Sequence, residues 1–256
     1  MSSPKERIAI EIVPINTLTP PVWDQIWELT ERYVDTTRAF FEAKLQKNPE
    51  VILFRTQGGR LIGVTALDVY RVEFGGRQAS IIFTSSVVVE EGYRRQNLTQ
   101  RIGFQVFLRT RLQRPFEPIY FFFDTFSYKS YIMLRRNFTE FWPRYDRPTP
   151  AWETGFIDYL AQRRYGAAWQ PQKGIVERSG QKRLKSTTAP IDDDLLAKPD
   201  ISFFVTVNPG HQEGDMLVCL CPLSMKNWGF LGLSAVRRMF RGQRDPSRNK
   251  EAPKRR

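Results

Sequence analysis

Val87-Val-Val-Glu-Glu-Gly-Tyr-Arg-Arg-Gln-Asn-Leu-Thr-Gln-Arg101 begins as a β-branched run, breaks into a basic turn and then opens a helix. A strand, a turn and a helix start in that order make an anion site. The helix N-terminus leaves backbone N–H groups unpaired and carries about half a positive charge, so a phosphate is held there without dedicated side chains. Arg94 and Arg95 add two full charges at the same point.

Upstream of this stretch the pattern predicts a meander of three antiparallel strands at 51–56, 61–74 and 79–89, with turns at Gln57-Gly58-Gly59-Arg60 and Gly75-Gly76. Residues 8–15 alternate as a first strand. Thr19-Pro20-Pro21 starts a helix in which Trp23, Ile26, Trp27, Thr30, Tyr33 and Val34 recur at helical spacing, and a second helix is expected from Asp35 or Thr36 to Lys47. Downstream, residues 98–112 are apolar over more than one stripe, as in a helix packed on a sheet and partly covered from outside. Ile119-Tyr-Phe-Phe-Phe-Asp124 is the short continuous apolar run of a strand buried on both faces. Residues 79–124 therefore read as strand, helix, parallel strand. Further helices are expected at 128–137 and 152–165.

The chain then turns polar. Residues 166–199 read as a flexible insert, and strand signals at 201–207 and 216–221 flank Asn208-Pro209-Gly210 as a closing hairpin. Residues 230–240 suggest a short amphipathic helix before a disordered basic end. The fold expected is α/β (α+β), a mixed sheet with an antiparallel meander, a central parallel pair and helices on both faces. One domain is expected over residues 1–221, with 222–256 as an appendage.

With 256 residues, 41% of them hydrophobic, the chain can fill a substantial core. No apolar run approaches the roughly 20 residues of a membrane span, and the first residues lack the apolar centre of a signal peptide, so a cytoplasmic protein is expected. Cys219 and Cys221, two apart on a strand, share a face but are poorly placed for a mutual disulfide, and read as reduced core residues. A lone His211 leaves no metal cluster of the His/Cys kind. The net charge of +12 favours polyanionic partners. Residues 235–256 hold nine Lys and Arg against Asp245 and Glu251, so +7 of it is a property of the tail. Beside the apolar residues of 228–240, this suggests a weak contact with anionic membrane or nucleic acid, and a peripheral membrane location.

The Arg94 turn resembles the acyl-CoA pyrophosphate loop of the GNAT acyltransferase superfamily, a strand followed by Arg/Gln-x-x-Gly-x-Gly/Ala and a helix. The two family glycines fall on Asn97 and Thr99. Asn tolerates a left-handed backbone, whereas Thr is stiff. Ser127-Tyr-Lys-Ser-Tyr-Ile-Met-Leu-Arg-Arg-Asn-Phe138 is similar to the family's helix after its fifth strand, and the predicted order of elements is that of its fold. The tyrosine that often protonates the departing thiolate in the family falls on Met133 or Leu134, neither of which donates a proton.

The resemblance implies an acyltransferase with no permanently bound cofactor. It would move an acyl group from acyl-CoA, or from the phosphopantetheine of an acyl carrier protein, to an amine acceptor. The pantetheine arm would lie where the family's fourth and fifth strands splay, pairing with the backbone of Val87, Val88 and Val89, with its phosphates over Arg94, Arg95, Gln96, Asn97, Leu98 and Thr99. Tyr128 and Tyr131 stand near the missing acid. Asp124, ending the buried strand, is either the base or the cap of the next helix through Ser127, and Glu73 and Glu90 are weaker choices for the base. The lost glycines and acid equally motivate an inactive GNAT-like scaffold with a binding or regulatory role.

Overall fold

The computed structural model describes residues 7–178, 180–185, 190–224 and 227, without the side chains of Arg95 and Leu184. The expected helix at 230–240 and the basic end lie outside the described residues. The elements are β1 (Ala9–Pro14), α1 (Pro20–Thr30), β2 (Val34–Thr36), α2 (Arg38–Gln46), β3 (Glu50–Arg55), β4 (Leu61–Phe74), β5 (Arg77–Val89), α3 (Leu98–Gln113), β6 (Ile119–Thr125), α4 (Tyr128–Asn137), α5 (Ala151–Tyr165), β7 (Trp169–Gln170), β8 (Ile175–Val176), β9 (Lys182–Leu184), α6 (Asp193–Leu196), α7 (Pro199–Val207) and β10 (Met216–Pro222). Eight strands form one sheet in the order β1-β3-β4-β5-β6-β10-β8-β7, and β2 pairs β9 apart from it. Among the described residues only β5 and β6 run parallel within the large sheet. Among the described residues no helix is long and apolar enough to cross a membrane.

Local chemistry sets the boundaries. Prolines at the first two positions start α1, where their missing N–H groups cost nothing, and the helix turns Ile26, Leu29 and Thr30 inward. The Thr37 hydroxyl accepts from the Phe40 N–H to open α2, which buries Phe41 and Leu45. Gly75 and Gly76, both at positive φ, close the β4–β5 hairpin in a two-residue turn that side chains would strain.

The helices divide between the faces of the sheet. α3, α4 and α7 bury Leu98, Ile102, Tyr131, Leu134 and Phe204 against Ile82, Ile119 and Phe123. On the other face α5 lays Phe156 and Leu160 over Phe83, Phe122 and Val218, while α1 and α2 cover Val51, Leu53 and Val88. Burying these large side chains stabilises the fold by about 2 kcal/mol each.

Three expectations fail here. Val34, expected on the first helix, and Asp35 and Thr36, expected to start the second, form the strand β2, so α1 ends at Thr30 and α2 begins at Arg38. Residues 199–207 are a helix and not the first arm of a hairpin; β10 pairs β6 along its length instead. The β-branched composition reads as strand. However, Pro199 starts a helix readily, and Ile201 and Phe204, three apart, both reach the core beside α4. The polar segment is also built into the fold. Trp169, Ile175 and Val176 are buried, β8 joins β10, and β9 crosses to β2.

Candidate active site

β5 and β6 pair only from Ser80 with Ile119 to Thr84 with Phe123, and beyond that point the two strands part. Thr65 of β4 stands between Val64, which faces Val88, and Ala66, which faces Ser85, so Ser86 and Val87 together oppose one residue. Ser86 sits at φ 53°, the left-handed region that single residues enter at a bulge. The bulge follows directly on the last β5–β6 pair, where the strands open into a wedge, and Val87 beside it is half exposed. The Ser86 hydroxyl is buried there with no hydrogen-bond partner among the described residues.

The basic turn follows at the end of β5. A 3-10 turn spans Glu91–Gln96, Asn97 takes the left-handed backbone at φ 55°, and α3 begins at Leu98. Asn97 thus fills the conformational role of a glycine. The first intrahelical bond there runs from the Arg101 N–H to the Asn97 carbonyl, so the N–H groups of Leu98, Thr99 and Gln100 precede it at the helix mouth. Arg94 is exposed and folded back: its Nε donates to the Val89 carbonyl at 2.8 Å and its guanidinium lies 4.7 Å from the centre of the Tyr33 ring. Gln100 reaches Met133 of α4 at 3.8 Å, so Met133, one of the two positions on which the family tyrosine was expected to fall, borders the mouth of α3.

Neither tyrosine is free. Tyr131 is fully buried and donates to the Pro143 carbonyl at 3.1 Å, and burial raises its pKa far above the ordinary phenol value. The Tyr128 hydroxyl points to the Pro190 carbonyl at 3.5 Å, and burial, then Asp192, raises its pKa as well. Glu90 is tied to Arg60 at 2.6 Å.

Asp124 lies one residue past the last β5–β6 pair, on the α5 face with Tyr120 and Phe122. It does not cap α4; the Ser127 N–H bonds to the Thr125 hydroxyl at 2.9 Å instead. Its carboxylate accepts from the Tyr165 hydroxyl at 3.0 Å and faces Lys44 at 3.9 Å. Burial disfavours the charged form, but Lys44, Arg178, the Tyr165 bond and Lys182 outweigh it, and the pKa is lowered. Burial drives Lys44 and, further, Lys182 below the ordinary lysine value, and Tyr165 well above that of a phenol. None of these four partners has a local sequence signal. A carboxylate ending a buried strand does signal that some counter-charge is needed. A shallow groove lined by Arg71, Arg114, Phe116 and Glu117 lies at the other end of β6 and is separate from this site.

No family model matches the sequence, and no curated protein matches it. Similar solved structures include the GNAT family N-acetyltransferase YhbS of Escherichia coli in complex with CoA, 19% identical over 48% of this chain and 65% of that one, with a TM-score of 0.33. The aligned part is thus just under two thirds of that protein. An acetyltransferase of Trypanosoma brucei is 18% identical over 56% of this chain and all of that one, TM-score 0.38. A probable N-acyltransferase of Enterococcus faecalis is 11% identical over 86% of this chain and 67% of that one, TM-score 0.39. The fold is GNAT-like. The chain's own topology carries that statement: a meander, a crossover helix, one parallel pair and its splay. In this GNAT-like frame the wedge lies between β5 and β6, α3 opens on one face of the sheet, and Asp124 lies on the other.

Proposed function

We propose that the chain is an acyltransferase that moves an acyl group from acyl-CoA, or from acyl-phosphopantetheine on a carrier protein, to an amine. The observation that carries this reading is the wedge past Thr84 and Phe123, with a glycine-like helix mouth at one side and a buried carboxylate at the other. In this reading the donor's phosphates rest on the N–H groups of Arg95, Gln96, Asn97, Leu98 and Thr99, with Arg94, swung from Tyr33, or Arg95 within salt-bridge range. Its pantetheine arm lies along Val87, Val88 and Val89, which brings the thioester to the end of β6. The amine nitrogen attacks the thioester carbonyl, the C–N bond forms as the C–S bond breaks, and the ammonium proton passes to Asp124 directly or through water. The thiolate takes its proton from solvent or from Tyr128 or Tyr131 once their carbonyl bonds are released.

Calorimetric titration with acetyl-CoA, longer acyl-CoAs and acyl carrier protein tests the donor site. Binding by the wild type, weakened in Arg94→Ala, supports it; equal affinities remove the loop assignment. One observation favours a second reading, a GNAT-like scaffold that binds a donor without turnover: both candidate phenols are buried against backbone carbonyls. Thiol release from a bound donor with an amine panel separates the two. In either reading we assign residues 235–256 a weak, salt-sensitive contact with anionic surfaces, tested by liposome sedimentation with and without them.

A further inference from the structure

Three cations and one carboxylate meet where α2, β6, α5 and the segment leading into β9 come together. Asp124 faces Lys44 at 3.9 Å, and Arg178 and Lys182 act on it from the polar segment. Arg164 beside them is already matched, by Asp68 at 3.1 Å and by Asn48, and does not change the balance. The cluster therefore carries two positive charges more than it can neutralise while all its lysines are protonated. Two of the three cations also have unused donors. The Arg178 Nε is buried without an acceptor among the described residues. Lys182 is 4% exposed, and its ammonium lies 5.5 Å and 5.7 Å from the ring centres of Phe41 and Phe126, with no hydrogen-bond acceptor among the described residues.

Such an arrangement is costly for stability alone. An apolar side chain between two phenylalanines packs at less expense than a buried ammonium, and isolated buried charge is retained only where something compensates it. The missing component is an anion. Its place follows from the two faces of the sheet: α3, with the proposed donor mouth, covers one face, and the cluster lies on the other, joined to it by the wedge at Asp124.

We propose that this cluster receives the acidic group of the acyl acceptor, so that the substrate is an amine that also bears a carboxylate or a phosphate. The inference rests on the acyltransferase reading above. Lys44 and Lys182 hold the anion by charge, and Arg178 supplies the N–H donor that is now unused. A simple amine, arriving as an ammonium, would add a fourth cation and is rejected; an amine with an acidic group brings its own compensation. In the empty protein Lys182 sheds its proton easily, because burial, then Lys44 and Arg178, outweigh Asp124. Lys44 on α2, Asp124 on β6, Arg164 and Tyr165 on α5 and Arg178 before β9 act here; Asp215 accepts from the Arg178 backbone N–H at 2.9 Å, and the neutral Met216 of β10 touches Lys44. An anion restores the proton, so anion binding takes up protons and weakens as pH rises.

The test is thermal unfolding of the full chain and of its Lys182→Met variant at constant ionic strength in chloride, acetate or inorganic phosphate, with acetyl-CoA in a parallel arm. Acetate or phosphate should raise the wild-type Tm by roughly 3 °C over chloride and leave that of the variant unmoved. The anion giving the larger rise tells carboxylate from phosphate. Equal rises in both proteins, or no rise in the wild type, overturn the proposal. The acetyl-CoA arm reports on the donor reading alone, so the two ideas fail separately. Should the variant not fold, the wild type decides by itself. Acetic anhydride labelling of Lys44 and Lys182, read by mass spectrometry, should fall several-fold in the stabilising anion, and unchanged labelling overturns the proposal.

Discussion

Two sets of basic side chains border the wedge, and the fold treats them in opposite ways. Arg94 stands in solvent, held by one carbonyl and one tyrosine ring. Lys44 and Lys182 are drawn inside, where the carboxylate that faces them is Asp124. An exposed cation is cheap to keep and to lose, because water screens it. A buried one reshapes the titration of every neighbour.

The sharpest way to break that contrast is Asp124→Asn. Removing the one carboxylate from a buried group of cations should cost about 3 kcal/mol in urea unfolding. A loss under about 1 kcal/mol would mean that the lysines are already neutral and the pair is weak. Next is Lys182→Met, which should stabilise the protein by about 1–2 kcal/mol, because a matched apolar chain replaces a buried amine whose protonation the fold penalises. Its pH dependence sharpens the point. Lys182 titrates lower in the fold than the ordinary 10.5, so between those two values the unfolded chain holds more protons and stability rises with pH. That rise, followed by denaturant melts from neutral to alkaline pH, should shrink in the variant.

Smaller effects belong to the exposed side. Asn97→Ala should cost about 1 kcal/mol by forcing an ordinary residue into the left-handed region, while Asn97→Gly should be neutral or better; chemical denaturation of both checks the pair. Arg94→Ala should move stability by less than about 0.5 kcal/mol. It should also weaken acyl-CoA binding about tenfold in calorimetry, the value of one charge-assisted contact.

What could be read from the chain depended on how local its physics is. Helix α4 was expected at 128–137 and spans Tyr128–Asn137, because its apolar spacing is visible within ten residues. The β5–β6 parallel pair followed from a buried-type phenylalanine run and a helix-length crossover. Helix α7 escaped, since Ile-Ser-Phe-Phe-Val-Thr-Val fits a strand by composition, and only its packing on α4 decides. Asp124 stood out as a carboxylate in an apolar strand. Its partners did not: Lys44 lies 80 residues before it and Lys182 58 residues after, each in a segment that otherwise reads as solvated surface. The bulge at Ser86 left no signal either, since serine in a β-branched run does not announce a positive φ.

The hairpin of β7 and β8 has one more consequence. β10, Met-Leu-Val-Cys-Leu-Cys-Pro, has β6 on one side; on the other, Met216 and Leu217 meet β8, and Leu220 exchanges both backbone bonds with Trp142. Without those two covers an apolar strand would offer its free N–H and C=O groups to any passing chain, the template from which cross-β aggregates grow. The polar segment that looks expendable in the sequence is thus a guard against polymerisation, and shortening it would be felt first as loss of colloidal stability.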